Sequence, residues 1–188
     1  MSAYQTLSFS IRGVSPLLMH NGHLSDPLSP FSQSLAEVHA KRKKTEADHL
    51  EMARREFNGG LYMSAEGPCL PGEMLEAMLI GGAKKEKMGN QAKAGLLVEG
   101  NPLLEYDGPR DAQGLWEDER FRLRIGARVG MSRVQRTRPR FNAWGLSFEV
   151  RFLPSLLNPK HVRSFLAVAG EQIGLGDWRP RFGRFEVV

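Results

Sequence analysis

LSFEVRFLPSLLNPKHVRSFLAVAGEQIGLGDWRPRFGRFEVV, residues 146–188, holds a strand, a helix and a second strand in succession. Leu146, Phe148, Val150 and Phe152 recur at every second position, the period of a strand with one buried face. Asn158-Pro159 then caps and opens a helix, because proline at the first helical position gives up only a donor that has no partner there. Val162, Phe165, Leu166 and Ala169 follow at helical spacing and predict its inner face, and Gly174 ends it. A loop follows, and Phe182 to Val188 closes the chain as a strand.

Working outward, residues 4–12 (YQTLSFSIR) alternate in the same way, with Leu7, Phe9 and Ile11 on one side. A long connection, residues 13–30, carries Pro16, Gly22, Pro27 and Pro30. Residues 31–60 read as an inserted helical segment. Leu35, Val38 and His39 mark a first helix, and Thr45-Glu46-Ala47-Asp48 resembles a capping box that opens a second. The second helix presents Leu50, Ala53 and Phe57 on one face and ends at Gly59-Gly60. Residues 73–83 form a further helix with Met74, Leu75, Met78 and Leu79 inward. Residues 84–94 and 107–118 read as polar loop and acidic turn, with short strands near 61–63, 96–98 and 103–106. Phe121, Leu123, Ile125, Ala127 and Val129 alternate with Arg122, Arg124 and Arg128, a strand with an apolar face and an arginine face. The order strand, helix, strand, strand, helix, strand predicts an α+β protein with a split βαβ, ferredoxin-like core. It occupies 1–188 as a single domain, with the helical segment at 31–60 and a basic, thumb-like hairpin at 130–143 as elaborations.

Charge is unevenly spread. Residues 1–119 carry a net charge of −5 and residues 120–188 a net charge of +10, and 13 of the 14 cations in the second part are arginine. A surface built for solubility mixes signs and uses lysine freely. Arginine supplies a planar fork for phosphate and stacks on bases, so the asymmetry points to a polyanion, with nucleic acid the commonest case. No run approaches the roughly 20 apolar residues of a membrane span, so no membrane partner is expected. One cysteine, Cys69, without a C-x-x-C pair, argues for a reducing, cytoplasmic setting with no structural metal and no cofactor.

Two segments concentrate the chemistry. In residues 172–185, Gly174, Gly176 and Gly183 bracket a tip holding Trp178, Arg179 and Arg181, with Arg184 beside it. Glycines let backbone N–H groups approach an anion, and an indole stacked on a base contributes about 1–3 kcal/mol. The segment follows a helix rather than opening one, so its G-x-G is not a dinucleotide fingerprint. In residues 130–141 (GMSRVQRTRPRF), Arg133, Arg136, Arg138 and Arg140 alternate with Gln, Thr and Pro and end on Phe141. Read as a hairpin tip or loop, this segment tracks a phosphate backbone and wedges Phe141 or Val134 between bases.

The loop at 172–185 resembles the glycine-rich loop of the RAMP superfamily, the RNA-binding subunits of CRISPR effector complexes. Cys69-Leu70-Pro71-Gly72-Glu73-Met74-Leu75-Glu76-Ala77-Met78-Leu79 resembles the apolar-Pro-Gly segment that opens that family's first helix, although Glu73, Glu76 and Ala77 depart from its pattern. Strand one running into Ser15-Pro16-Leu17-Leu18 resembles the family's opening. The resemblance covers about a fifth of the chain and implies an RRM-like core that grips RNA backbone and assembles head to tail along it, as a homo-oligomer or ribonucleoprotein subunit. It also implies a reduced or phage-borne relative, since the chain is short for a backbone subunit. The expected function is non-catalytic, largely sequence-independent binding of single-stranded RNA such as a guide, with DNA as the other candidate partner. Two alternatives stand beside it: a RAMP-type endoribonuclease using His20, His23 or Asp26 of the first connection, and a phage single-stranded DNA-binding or annealing protein. A protein-interaction module whose basic face meets an acidic partner is a third. The acidic front and basic back of the chain give head-to-tail association an electrostatic motive.

Overall fold

The computed structural model describes residues 3–188, and the side chains of all of these except Val129, Ser132 and Arg133. In chain order the elements are β1 (Gln5–Gly13), β2 (Leu17–Leu18), α1 (Pro30–His39), α2 (Glu46–Gly60), β3 (Met63–Ser64), β4 (Gly67–Pro68), α3 (Gly72–Lys85) and α4 (Gly89–Gly95). Then follow β5 (Leu96–Leu97), β6 (Leu104–Glu105), α5 (Ala112–Glu117), β7 (Arg122–Val129), β8 (Ser132–Phe141), β9 (Gly145–Phe152), α6 (Pro159–Gln172) and β10 (Phe185–Val187). The protein is therefore α+β, with antiparallel sheets. No helix among the described residues is long and apolar enough to cross a membrane.

The chain forms two compact units. The first comprises residues up to Leu17, Met63–Asp107 and Asn142–Val188. Its sheet has the order β10-β1-β9-β5, with β6 also paired to β9. Every one of these pairings is antiparallel. β1 and β5 thus run in the same direction with β9 between them. The period-2 pattern works as expected: Phe9 and Ile11 of β1 and Leu146, Phe148, Val150 and Phe152 of β9 are all buried. The stripes of α3 (Leu75, Met78, Leu79) and α6 (Val162, Phe165, Leu166, Ala169) are buried as well, these helices pack on each other, and α6 packs on β10. Asn158 caps α6 by accepting from the N–H of His161 at 3.0 Å. Glu76, which departs from the RAMP pattern, acts locally: its carboxylate accepts from the N–H of Val98 at 2.8 Å.

The second unit comprises Leu18–Tyr62 and Gly108–Phe141. It holds α1 and α2, α5, and the antiparallel pair β7-β8. The capping box at Thr45 is present. The hydroxyl of Thr45 accepts from the N–H of Asp48, and the Asp48 carboxylate accepts from the N–H of Thr45. Hydrogen bonds from Lys41 and Thr45 hold the Asp48 carboxyl far below its ordinary range. Ala53 and Phe57 of α2 are buried as the helical spacing predicts, but Leu50 is 57% exposed.

Three expectations need correction. Residues 84–94, read as a polar loop, are helical for most of their length: α3 runs to Lys85, and α4 packs on α3 with Ala92 buried. Residues 107–118, read as an acidic turn, contain α5, capped by Asp111 accepting from the N–H of Gly114 at 2.9 Å. Residues 132–141, read as a tip or loop, are the full second strand of a hairpin.

Candidate nucleic-acid interface

β7 and β8 pair in unbroken register from Arg122↔Pro139 to Val129↔Ser132, so the loop is only Gly130-Met131. Gly130 has φ +59°, the left-handed conformation that two-residue hairpin turns require and that glycine adopts without strain. Met131 beside it is 99% exposed. Residues that face each other across the ladder share a face of the ribbon. One face therefore carries Arg122, Arg124 and Arg128 with Thr137 and Gln135; the other carries Leu123, Ile125 and Ala127 with Arg138, Arg136 and Val134.

On the first face the arginines differ in how they are held. Arg122 is half-buried, its guanidinium 4.6 Å from the centre of the Trp116 ring and 3.2 Å from Glu119. Arg128 is exposed and donates from Nε to the Gly130 carbonyl at 3.1 Å. Arg124 is exposed and has neither a hydrogen bond nor an ion pair among the described residues. Successive outward residues on a strand lie about 6.8 Å apart, so these cations form a row and not a cluster.

The base of the hairpin is different, and two expected contacts are corrected there. Arg138 is 6% exposed, and its guanidinium lies 2.9 Å from the carboxylate of Glu56, itself 7% exposed. The same carboxylate accepts from the backbone N–H of Thr137 at 2.8 Å and pairs with Arg136 at 3.4 Å. Glu56 thus satisfies a donor at the outer edge of β8 and neutralises a buried cation, and Arg138 serves the fold rather than a phosphate. Phe141 is fully buried against Phe121, with ring centres 5.6 Å apart, so it cannot wedge between bases. Arg140 is half-buried and donates to the carbonyl of Arg120 at 3.2 and 3.3 Å. The side chain of Arg133 lies outside the described set.

The glycine-rich loop belongs to the first unit. Gly174, Gly176 and Gly183 have φ of +76°, +75° and +76°. Leu175 donates to the carbonyl of Gly183 at 2.9 Å, and Gly183 donates to that of Pro16 at 2.8 Å. A Cβ at Gly183 would stand 1.8 Å from the Leu175 carbonyl oxygen. Gly174 and Gly183 are buried, so they close the loop on itself rather than opening a cradle of free N–H groups. Outside that closure the loop is basic. Arg179, Arg181 and Arg184 are exposed, with Arg184 donating to the Pro180 carbonyl at 2.8 Å. Trp178 is half-buried, with its backbone N–H on the Asp177 carboxylate at 3.0 Å and its ring 6.2 Å from that of Phe182.

The open face of the first unit's sheet presents Thr6, Ser8, Ser10 and Arg12 of β1 beside Ser147, Glu149 and Arg151 of β9. Ser10 and Ser147 hydroxyls are 3.0 Å apart, and Arg151 pairs with Glu99 at 2.7 Å. No aromatic residue of β1 or β9 faces outward here, so these strands offer no stacking platform of the kind single strands use. In the first connection, His23 stacks on Phe31 at 5.9 Å, and Asp26 accepts the N–H of Leu28 at 2.9 Å, an ordinary turn contact. The carbonyl of His20 accepts from the Tyr62 hydroxyl at 3.1 Å. No group of three His, Cys, Asp or Glu side chains fit to hold a metal occurs among the described residues. Cys69 is buried, which raises its thiol pKa.

Sequence reasoning missed Glu56 and Trp116, the two residues that decide which hairpin arginines stay available. Glu56 sits three residues after Ala53 and four before Gly60, on the buried stripe of α2, and an acid at such a position signals a buried cation elsewhere. No protein-family model matches the chain, and no curated protein matches it.

Proposed function

We propose that the protein binds single-stranded nucleic acid, RNA in preference to DNA, without cleaving it, and that it is a relative of the RAMP superfamily. The observation that carries this reading is the outward row on β7, where Arg124 has no acid partner among the described residues and the Arg122 guanidinium lies 4.6 Å from the centre of the Trp116 ring. A guanidinium row along a strand with an adjacent indole supplies phosphate contacts and a stacking plane together. The exposed Arg179, Arg181 and Arg184 beside Trp178 repeat the pairing in the first unit. The strand order β10-β1-β9-β5 with two packed helices is consistent with a ferredoxin-like core, RRM-like in outline, to which α1–α2 and the hairpin are additions. Arginine makes up most of the polar side chains on these two segments, which supports binding through phosphates with little sequence preference. The acidic front and basic back of the chain support head-to-tail assembly along the strand, in the cytoplasm, alone or in a larger ribonucleoprotein.

The test is fluorescence anisotropy of a labelled 20-nucleotide oligouridylate titrated with the protein from 50 to 500 mM salt. Affinity falls with a slope of about −0.7 per phosphate neutralised, and the labelled RNA is recovered intact. Arg124→Ala/Arg128→Ala lowers the slope without changing the unfolding midpoint. A flat salt dependence sinks the reading, tighter binding of the matching deoxyoligonucleotide transfers it to DNA, and cleavage of the probe transfers it to a ribonuclease.

A further inference from the structure

Leu50 belongs to the stripe of α2 whose next members, Ala53 and Phe57, are buried, yet it is 57% exposed. What it lines is a cleft of about 900 Å³, walled on one side by α1 and α2 and on the other by Arg124 and residues 134–137 of β8. A smaller cavity of about 280 Å³, reaching Trp116 and Arg122, shares Leu50, Ala53, Arg124 and Thr137 with it. The two make one groove with Arg124 common to both parts.

The groove's chemistry is uneven in a way that selects an occupant. Leu50 and Ala53 give an apolar wall. Gln135 is exposed and lines the cleft with an amide that both donates and accepts. Of the acids in the groove, Glu56 is taken up by Thr137, Arg136 and Arg138, and Glu119 by Arg122. Glu46, His39 and His49 complete the titratable lining of the larger part. Arg124 keeps its full donor set. An apolar occupant leaves that guanidinium unused, and a bare anion leaves the apolar wall and the amide unused. A nucleotide uses all three: a flat apolar ring, a hydrogen-bonding edge and a phosphate.

We propose that the groove between α2 and the β7–β8 hairpin seats one nucleotide of the bound strand, its base against Leu50, its edge on Gln135 and its phosphate on Arg124. This rests on the single-strand-binding reading and adds a base-recognising seat to what is otherwise a contact with phosphates.

The experiment combines crosslinking on the unaltered protein with two variants at exposed positions. An oligouridylate carrying 4-thiouridine is irradiated with the wild type, and the crosslinked peptides are identified. The expected crosslinks fall within residues 46–56 or 134–137. Leu50→Ser weakens oligouridylate binding about fivefold and leaves inhibition by inorganic polyphosphate unchanged, because polyphosphate has no base to seat. Arg124→Ala weakens both about tenfold. Should crosslinks fall only within 176–184, with Leu50→Ser binding as the wild type does, RNA binding survives and the groove proposal is overturned. Should the wild type bind no oligouridylate even at 50 mM salt, the underlying reading fails and the proposal falls with it.

Discussion

The hairpin and the glycine-rich loop are both rich in arginine, but they hold it by different means. In the hairpin the backbone is a regular ladder, and the availability of each guanidinium is decided by what stands near it: Glu56 takes up Arg138, Trp116 and Glu119 hold Arg122, and no described residue pairs with Arg124. In the loop the backbone is irregular and closed by buried glycines, and its arginines stand outside that closure. One region selects its free cations by side-chain partners, the other by chain geometry. A mutation in each should therefore fail differently.

The sharpest break in this comparison comes at Glu56. Glu56→Ala strands Arg138 as an unpaired buried cation and frees the Thr137 N–H, and we expect a loss of about 3–5 kcal/mol in urea-induced unfolding. The double variant Glu56→Leu/Arg138→Leu recovers most of it, since a buried pair contributes little over an apolar replacement. A Glu56→Ala loss under about 1 kcal/mol would mean that the hairpin base is wetter than its burial indicates.

Gly183→Ala tests the loop by its own rule. The substitution strains a φ of +76° and drives a methyl into the Leu175 carbonyl, so unfolding free energy falls by about 2–3 kcal/mol. A neutral result would show that the loop closes by some other contact. Arg124→Ala sits at the opposite extreme. Stability stays within about 0.5 kcal/mol, and the salt slope of oligouridylate binding drops by about 0.7. An Arg179→Ala/Arg181→Ala variant should lower the slope by about twice as much, and a loss confined to one of these variants would assign binding to one region only.

The smallest effect concerns pH. The Asp48 carboxyl is lowered in the folded state, so the stability it confers is complete above the unfolded aspartate value of about 3.9 and is lost as pH falls through the folded value. Asp48→Asn should lower stability by a constant amount at neutral pH and flatten the acid limb of the stability–pH profile below about pH 4, so that variant and wild type converge there.

Much of the framework is legible in the residues themselves. The alternation in β1 and β9, the Asn158-Pro159 start of α6 and the box at Thr45 each follow from local periodicity or capping, and local rules need no partner. The missed helices are weak by the same rules. α4 is only seven residues long and includes Gly89 and Gly95, and α5 is six residues opened by an aspartate that also suits a turn. Alternation around Arg133 to Phe141 is visible, but arginine density reads as solvent, and the ladder partner β7 decides otherwise. Arg138, Phe141 and Leu50 mislead for one reason. Arg138 and Phe141 are covered by α2 and by the 3₁₀ turn at 119–121, Leu50 is left bare where its helical stripe predicts cover, and no spacing rule encodes either outcome.

Trp116 under the Arg122 guanidinium has an optical consequence. Indole emission shifts when a cation lying on its face is moved, and the other two tryptophans occupy different surroundings: Trp144 is buried with its N–H on the Ser15 carbonyl, and Trp178 stands in the loop. Single Trp→Phe replacements would therefore divide the chain's fluorescence into a fixed reference and two local gauges. The molecule needs no attached dye to report which end of its arginine supply a ligand touches first.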